Sequence, residues 1–365
     1  MEEKKILLAG GGTGGHVLPL VEVARGIKKL EPEAQIYFVG PEEFSLNSLR
    51  EERIIIKKII AAGKIRRYFS LWNLVEPFKI PVAFIQSFFI ILAINPDVVL
   101  GKGSYGSVWP MVAAWLLGKK IVLHESDAVP GLANRFLARF THNIALAFEN
   151  TKKFFPHKNI YAVGNPVRLK YLGLTKNEAL KVLNIQCLTD HQIIFISGGS
   201  QGAQKINSVI LEILNQLCEK YFVIWSVGQN NLSHVKHRVS NIDSGDVKLV
   251  GLLNEKELAS AYILSSLAIG RAGSGTIFEL AAFAKPSILI PLERKGGDQP
   301  LNAQIYADTG ATVVLPEAEL SPQLLLETIN DILSNVSKLE TMNRNAQKFA
   351  KIDAGAELAQ ILLDL

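Results

Sequence analysis

The stretch Lys5-Ile6-Leu7-Leu8-Ala9-Gly10-Gly11-Gly12-Thr13-Gly14-Gly15-His16 runs a short apolar strand into a turn made almost wholly of glycine. A continuous apolar run of this length fits a strand buried on both faces, as in a parallel sheet. The glycines allow a tight turn, and a helix that opens there presents N–H groups without intrahelical partners at the positive end of its dipole. Together these make an anion site. The device recurs where Ile193-Ile194-Phe195-Ile196-Ser197 meets Gly198-Gly199-Ser200-Gln201-Gly202-Ala203, and where Leu267-Ala268-Ile269 meets Gly270-Arg271-Ala272-Gly273-Ser274-Gly275. The first two copies stand half a chain apart, which predicts two doubly wound domains facing one phosphorylated ligand.

The rest of the chain extends that pattern. Strand-like runs at Ile6–Leu8, Ile36–Val39, Val98–Leu100, Ile121–Leu123, Ile144–Ala147 and Ile160–Val163 predict six strands in the first half. Six more follow at Ile193–Ile196, Phe222–Val227, Val247–Val250, Leu267–Ile269, Ser287–Ile290 and Thr312–Leu315. Helical periodicity between most of them implies two parallel α/β sheets. Gly164-Asn165-Pro166-Val167-Arg168 marks the boundary, giving domains 1–163 and 164–345, with a final amphipathic helix within 346–365 expected to pack back on the first domain.

A length of 365 residues suits two domains rather than one core, and an apolar fraction of 48% supports two buried sheets. Cys187 and Cys218 are far apart and lack metal-ligand spacing, so neither a disulfide framework nor a zinc site is expected. Only four apolar residues separate Met1-Glu2-Glu3-Lys4-Lys5 from the glycines, too few for a signal-peptide core, so an intracellular location is expected. The uncharged run from Ile80 to Pro96 falls short of the ~20 residues that span a bilayer and is expected to be a buried or interfacial helix. The net charge of +5 divides unevenly, with +7 on residues 1–163 and −2 on 164–365. The basic half suits a pyrophosphate or an anionic lipid surface, and nucleic acid is not among the expected partners.

In open α/β sheets, ligands bind beyond the carboxyl ends of strands. There the chain places Gly101-Lys102-Gly103-Ser104-Tyr105-Gly106, and then His124-Glu125-Ser126-Asp127 before a helix carrying Asn134 and Arg135. Gly10-x-Gly12-x-x-Gly15 matches a dinucleotide fingerprint. The second strand, however, ends Phe38-Val39-Gly40-Pro41 without the acidic residue that would hold a ribose, which argues against NAD or FAD, and no cofactor is expected. His16 has two readings: a phosphate contact or base at the helix start, or a residue bonded to backbone. Glu279 likewise reads either as the partner of Thr276 in a capping box or as a carboxylate accepting from a ribose diol. His234 and His237 have helical spacing and no ligand partner, which makes them surface residues. No Asp-x-Asp and no Gly-x4-Gly-Lys-Ser/Thr occurs, so no metal is expected and diphosphate charge must be met by helix N-termini and by Arg168 and Arg271.

Taken in order, Gly10–His16, Gly101–Gly106, His124–Arg135, Gly164–Arg168, Gly198–Ala203 and Arg271–Ser274 through Gln299-Pro300-Leu301-Asn302-Ala303 resemble the MurG family, peptidoglycan enzymes that add N-acetylglucosamine to lipid I. The resemblance covers nearly the whole chain and implies a GT-B fold of two Rossmann-like domains facing a cleft. It also implies an inverting transfer of GlcNAc from UDP-GlcNAc to the C4 hydroxyl of MurNAc on undecaprenyl-pyrophosphoryl-MurNAc-pentapeptide, at the cytoplasmic face of the membrane. Position by position, it implies that Thr13, Gly14, Gly15 and His16 line the diphosphate and acceptor side. Asp127, Arg168, Ser200, Leu253, Ser274, Gly275, Thr276, Glu279 and Gln299 would serve the nucleotide sugar, with Arg271 beside the leaving diphosphate. Tyr105, Asn134 and Asn207 would serve the acceptor. His16 is the first choice for the base, with Glu125 and His124 as alternatives.

The chain departs from the family at Asp127, where an amide is usual, and at Asp298 before Gln299. Leu71-Trp72, Leu74-Val75, Phe78, Ile80, Phe84-Ile85 and Phe88-Phe89, beside Lys64, Arg66, Arg67 and Lys79, suit a patch on an anionic leaflet. A UDP-GlcNAc 2-epimerase, a glycolipid glycosyltransferase and a non-catalytic nucleotide-sugar binder remain as alternatives. An epimerase needs no lipid-facing surface, and a binder releases no UDP.

Overall fold

The computed structural model describes residues 3–11, 14–41, 46–59, 72–185, 191–199, 202–239, 246–293 and 297–365. It divides into one unit of Met1–Val167 with Lys351–Leu365 and a second of Arg168–Ala350. The first holds seven parallel strands: β1 (Lys5–Ala9), β2 (Gln35–Gly40), β3 (Ile55–Lys58), β4 (Val98–Gly101), β5 (Lys120–Glu125), β6 (Asn143–Leu146) and β7 (Asn159–Tyr161). Their order is β3-β2-β1-β4-β5-β6-β7. The second holds six: β8 (Gln192–Ser197), β9 (Tyr221–Ser226), β10 (Val247–Val250), β11 (Leu267–Gly270), β12 (Ser287–Leu289) and β13 (Thr312–Val314), ordered β10-β9-β8-β11-β12-β13. Both are doubly wound sheets, with the order reversing beside β1 in one and beside β8 in the other.

The seventh strand of the first sheet is β3, which the apolar-run reading passed over. It is an edge strand with Ile55, Lys57 and Lys58 exposed, so it lacks the continuous apolar signature, and its lysines protect the edge.

Burial explains the central strands. Ile6 and Leu8 of β1 enter one core with Leu20, Ala24 and Leu100, while Leu7 and Ala9 enter another with Ile91, Met111 and Leu123. The helix Ala354–Asp364 joins the first of these cores through Leu358, Ala359 and Leu362. Its approach to the helix Gly14–Leu30 depends on a glycine, because a Cβ at Gly26 would lie 2.8 Å from the carbonyl oxygen of Gly355. In the second unit, Ile194, Ile196, Val223, Trp225 and Ile269 pack against Ile206, Ile210 and Leu214 of the helix Gln204–Cys218.

The helix Trp72–Ile94 shows how one apolar segment serves two environments. Ala83, Ser87 and Ile91 are buried, and Phe84 and Phe88 pack against the core. Phe78, Val82, Ile85, Phe89 and Leu92 form an exposed stripe at helical spacing, with Phe78 80% exposed. Among the described residues, no helix is long and apolar enough to cross a membrane.

Candidate active site

Each unit carries glycine turns at its switch point. In the first, the turn after β1 and the start of the helix Tyr105–Leu116 after β4 touch: a Cβ on Gly106 would stand 2.9 Å from the carbonyl oxygen of Gly10 and 2.8 Å from Pro41. Only a residue without a side chain permits that approach. Gly15 and His16 open the helix Gly14–Leu30, with His16 half-buried. Ser104, ahead of Tyr105, has φ 79° and ψ 161°, a conformation that non-glycine residues adopt at a cost of about 1–3 kcal/mol. Its hydroxyl and the side-chain oxygen of Asn134 are buried without hydrogen-bond partners among the described residues.

Behind this surface lies a polar cluster centred on Lys102, which is only 2% exposed. Its Nζ lies 2.6 Å from His124 Nδ1, 2.6 Å from Ser126 Oγ and 2.7 Å from Asn165 Oδ1. The other ring nitrogen, Nε2, lies 2.9 Å from the carbonyl oxygen of Gly164. Burial, then the Lys102 charge, hold the His124 pKa well below its ordinary value, so the ring is neutral. A neutral ring with Nε2–H donating to Gly164 and Nδ1 accepting from Lys102 satisfies both contacts.

The next residue, Glu125, accepts from the Asp127 N–H at 2.9 Å, the Gly131 N–H at 3.1 Å and the Asn134 amide at 2.8 Å. Burial pushes its carboxyl up, and these three bonds pull the other way by favouring the ionised form. Glu125 therefore shapes the loop from Asp127 to Gly131.

In the second unit the glycine turns after β8 and β11 are neighbours, because these two strands pair, with Gly270 opposite Ser197. The helix Ser274–Ala282 begins at an N-cap glycine, Gly273, and its first intrahelical bond runs from the Ile277 N–H to the Gly273 carbonyl. The Ser274, Gly275 and Thr276 amides lie outside that ladder, as an anion-binding helix start requires. Because the helix opens at Ser274, Thr276 is not its cap, and the capping-box reading of Thr276 and Glu279 gives way to another arrangement. Glu279 Oε1 accepts from Arg168 Nε at 2.9 Å and Nη2 at 2.7 Å, and Oε2 accepts a long contact of 3.4 Å from the Tyr262 hydroxyl. Tyr262 is itself fixed by an edge contact with Phe195 and a stack on Phe283.

The remaining predicted residues fall as follows. Leu253 is buried in the loop after β10, ahead of the capping box of Asn254 and Glu257. Gln299 opens the helix Gln299–Ala307 behind the N-cap Asp298, and its Oε1 accepts from the Leu292 N–H at 2.9 Å. Arg271 donates to the Ile290 carbonyl at 3.2 Å and pairs with Glu317. Asn207 bonds the Val227 carbonyl at 3.0 Å and accepts from the Trp225 indole at 3.3 Å, so its amide ties a helix to β9. Thr13, Ser200, Lys64, Arg66, Arg67 and Leu71 lie outside the described residues, as do the side chains of Trp72, Leu74 and Val75. The sequence reading missed Lys102, Ser104, Asn165 and Tyr262 as individual residues. Lys102 and Ser104 sit inside a glycine motif, and Asn165 inside the boundary segment, with no local signal that singles them out.

Comparison with known proteins bears on the family and the fold. Residues 6–146 match the glycosyltransferase family 28 N-terminal domain, and residues 193–358 match the family 28 C-terminal domain. A UDP-N-acetylglucosamine–N-acetylmuramyl-(pentapeptide) pyrophosphoryl-undecaprenol N-acetylglucosamine transferase from Borrelia hermsii is 32% identical, with 99% of this chain and 97% of the relative covered. Its counterpart in a Thermoanaerobacter species is 35% identical, with 98% and 99% covered. Among solved structures, Acinetobacter baumannii MurG superposes with a TM-score of 0.74 at 26% identity, covering 99% of this chain and 100% of that one. A UDP-GlcNAc 2-epimerase from Neisseria meningitidis reaches a TM-score of 0.71 at 14% identity over 100% of both chains, which shows a shared fold alone. With full-length relatives above 30% identity and both family domains in order, this chain belongs to the MurG family of glycosyltransferases.

Proposed function

We propose that this enzyme transfers N-acetylglucosamine from UDP-N-acetylglucosamine to the C4 hydroxyl of N-acetylmuramic acid on undecaprenyl-pyrophosphoryl-MurNAc-pentapeptide, converting lipid I to lipid II in peptidoglycan synthesis. The observation that carries this reading is the pairing of glycine turns at both switch points in a chain whose full-length relatives bear that activity in their names. The second unit takes the nucleotide sugar: Glu279 the ribose hydroxyls, the amides of Ser274, Gly275 and Thr276 the diphosphate, Leu253 the uracil side and Gln299 the GlcNAc hydroxyls. The first unit takes the acceptor, with Gly14, Gly15 and Tyr105 at its pyrophosphate.

In the reaction, the acceptor oxygen attacks C1 of GlcNAc from the face opposite UDP, the C1–O bond to UDP breaks, and the new linkage is β-1,4. His16 takes the hydroxyl proton, and the second-unit helix start, with Arg168 nearby in the same unit, stabilises the charge that grows on the departing UDP. The 2-epimerase reading rests on fold alone, at 14% identity.

The acceptor's lipid gives the exposed stripe of the helix Trp72–Ile94 a partner. We assign Phe78, Val82, Ile85, Phe89 and Leu92, with Trp115 and Leu116 also exposed, to the surface of an anionic leaflet. In liposome flotation the protein is expected to rise with vesicles containing anionic lipid. Ile85→Glu is expected to weaken that association by about tenfold or more, since burying one large aliphatic side chain is worth about 1.5–3 kcal/mol. Flotation that ignores both lipid charge and this substitution would remove the membrane surface from the reading.

A further inference from the structure

We propose that Lys102 is a positioning residue for the transfer reaction: by donating at once to His124, Ser126 and Asn165, it holds the carboxyl end of β5 and the segment 164–165 in the arrangement the acceptor side requires. The inference rests on the functional reading above, which places the acceptor at the first unit's switch point. Its foundation is geometric. A lysine ammonium has three donors, and here three acceptors from two separate segments of the chain stand within 2.7 Å of Nζ. None of the three is a carboxylate, so the contacts set orientation rather than neutralise charge. Lys102 selects the His124 tautomer, whose Nε2–H binds the Gly164 carbonyl, and it fixes Ser126 in the loop that Glu125 shapes through Asp127, Gly131 and Asn134.

The arrangement is sensitive to pH. Burial lowers the Lys102 pKa to about 7, while the charged groups that face it, Asp127 and then Glu125, act to raise it; the third titratable neighbour is the neutral His124. Below about 7 the ammonium supplies all three bonds, and as pH rises through about 7 the amine keeps only two donors for three acceptors.

The test is Lys102→Met, which keeps the length and removes every donor. In the wild type, kcat/KM for a lipid I analogue is expected to fall as pH rises through about 7. In the variant that limb is expected to be absent and the value below it lower by about tenfold to 100-fold, a loss of the size small misplacements cause. The denaturation midpoint and the circular dichroism of the whole chain report whether the variant's first unit is folded. Independently of turnover, the ring nitrogens of 15N-labelled His124 are expected to report the Nε2–H tautomer, with an Nδ1 shift that titrates with Lys102. A variant with wild-type kcat/KM and pH profile overturns the proposal, and so does a His124 signal that is protonated at Nδ1 or ignores pH near 7. If wild-type enzyme transfers nothing, the functional reading fails instead, and the His124 spectrum still decides how Lys102 acts.

Discussion

His16→Ala is expected to lower turnover by about 10²–10⁴-fold, the usual contribution of a positioned general base. UDP-GlcNAc affinity should stay within about twofold, because the residue sits on the first unit while Arg168 and Glu279, the proposed nucleotide ligands, sit on the second. His16 is the third residue of the helix Gly14–Leu30, directly beyond the glycine turn of β1 and beside the switch to β4. The other two candidate bases have their polar atoms committed within the first unit. His124 spends both ring nitrogens on Lys102 and Gly164, and Glu125 spends its carboxylate on Asp127, Gly131 and Asn134. Single-turnover rates paired with calorimetric UDP-GlcNAc titration check this. His16→Gln separates proton transfer from hydrogen bonding: a glutamine variant as slow as alanine supports the base, and near-normal turnover in either variant removes it.

Glu279→Ala has two expected consequences. The carboxylate proposed to hold the ribose diol is lost, and with two hydrogen bonds to a charged group at stake the Kd for UDP-GlcNAc should rise by about 100-fold or more. The second is structural. Arg168 and Glu279 form a largely buried pair, with side chains 20% and 9% exposed, and removing one partner of such a pair costs about 3 kcal/mol because the other charge is stranded. Arg168→Met alone and the Arg168→Met, Glu279→Ala pair complete a double-mutant cycle that divides the two effects. Denaturation midpoints read the pair and calorimetry reads the nucleotide. A Glu279→Ala protein that is destabilised yet binds UDP-GlcNAc as the wild type does would confine Glu279 to the ion pair.

How much of this was legible beforehand depended on which forces leave a trace in local sequence. β1, β8 and β11 were readable because strands buried on both faces are apolar at every position and end in glycines that the turn demands. β3 was not, because an edge strand carrying Lys57 and Lys58 resembles a loop. Spacing placed Glu279 three residues after Thr276, but it does not say where the helix begins, and the start at Ser274 sends the carboxylate to Arg168 instead. Nor does it give strand order, so the adjacency of the β8 and β11 turns came only with the sheet. In the helix Trp72–Ile94, Phe84 and Phe88 fill the core while Ile85 and Phe89 face outward, a division set by what packs on each face. Lys102 was the hardest to read. A lysine is ordinarily exposed, and this one is buried because its three partners stand 22, 24 and 63 residues away. Ser104 occupies a glycine conformation with nothing in its identity to announce it.

The most direct test of the account is a single incubation of the purified protein with UDP-GlcNAc and a lipid I analogue in the presence of EDTA, following UDP release and the disaccharide product together. The account predicts stoichiometric UDP and β-1,4-linked GlcNAc-MurNAc product that depend on the acceptor. No transfer, UDP release without the acceptor, or conversion of UDP-GlcNAc to its 2-epimer would contradict it.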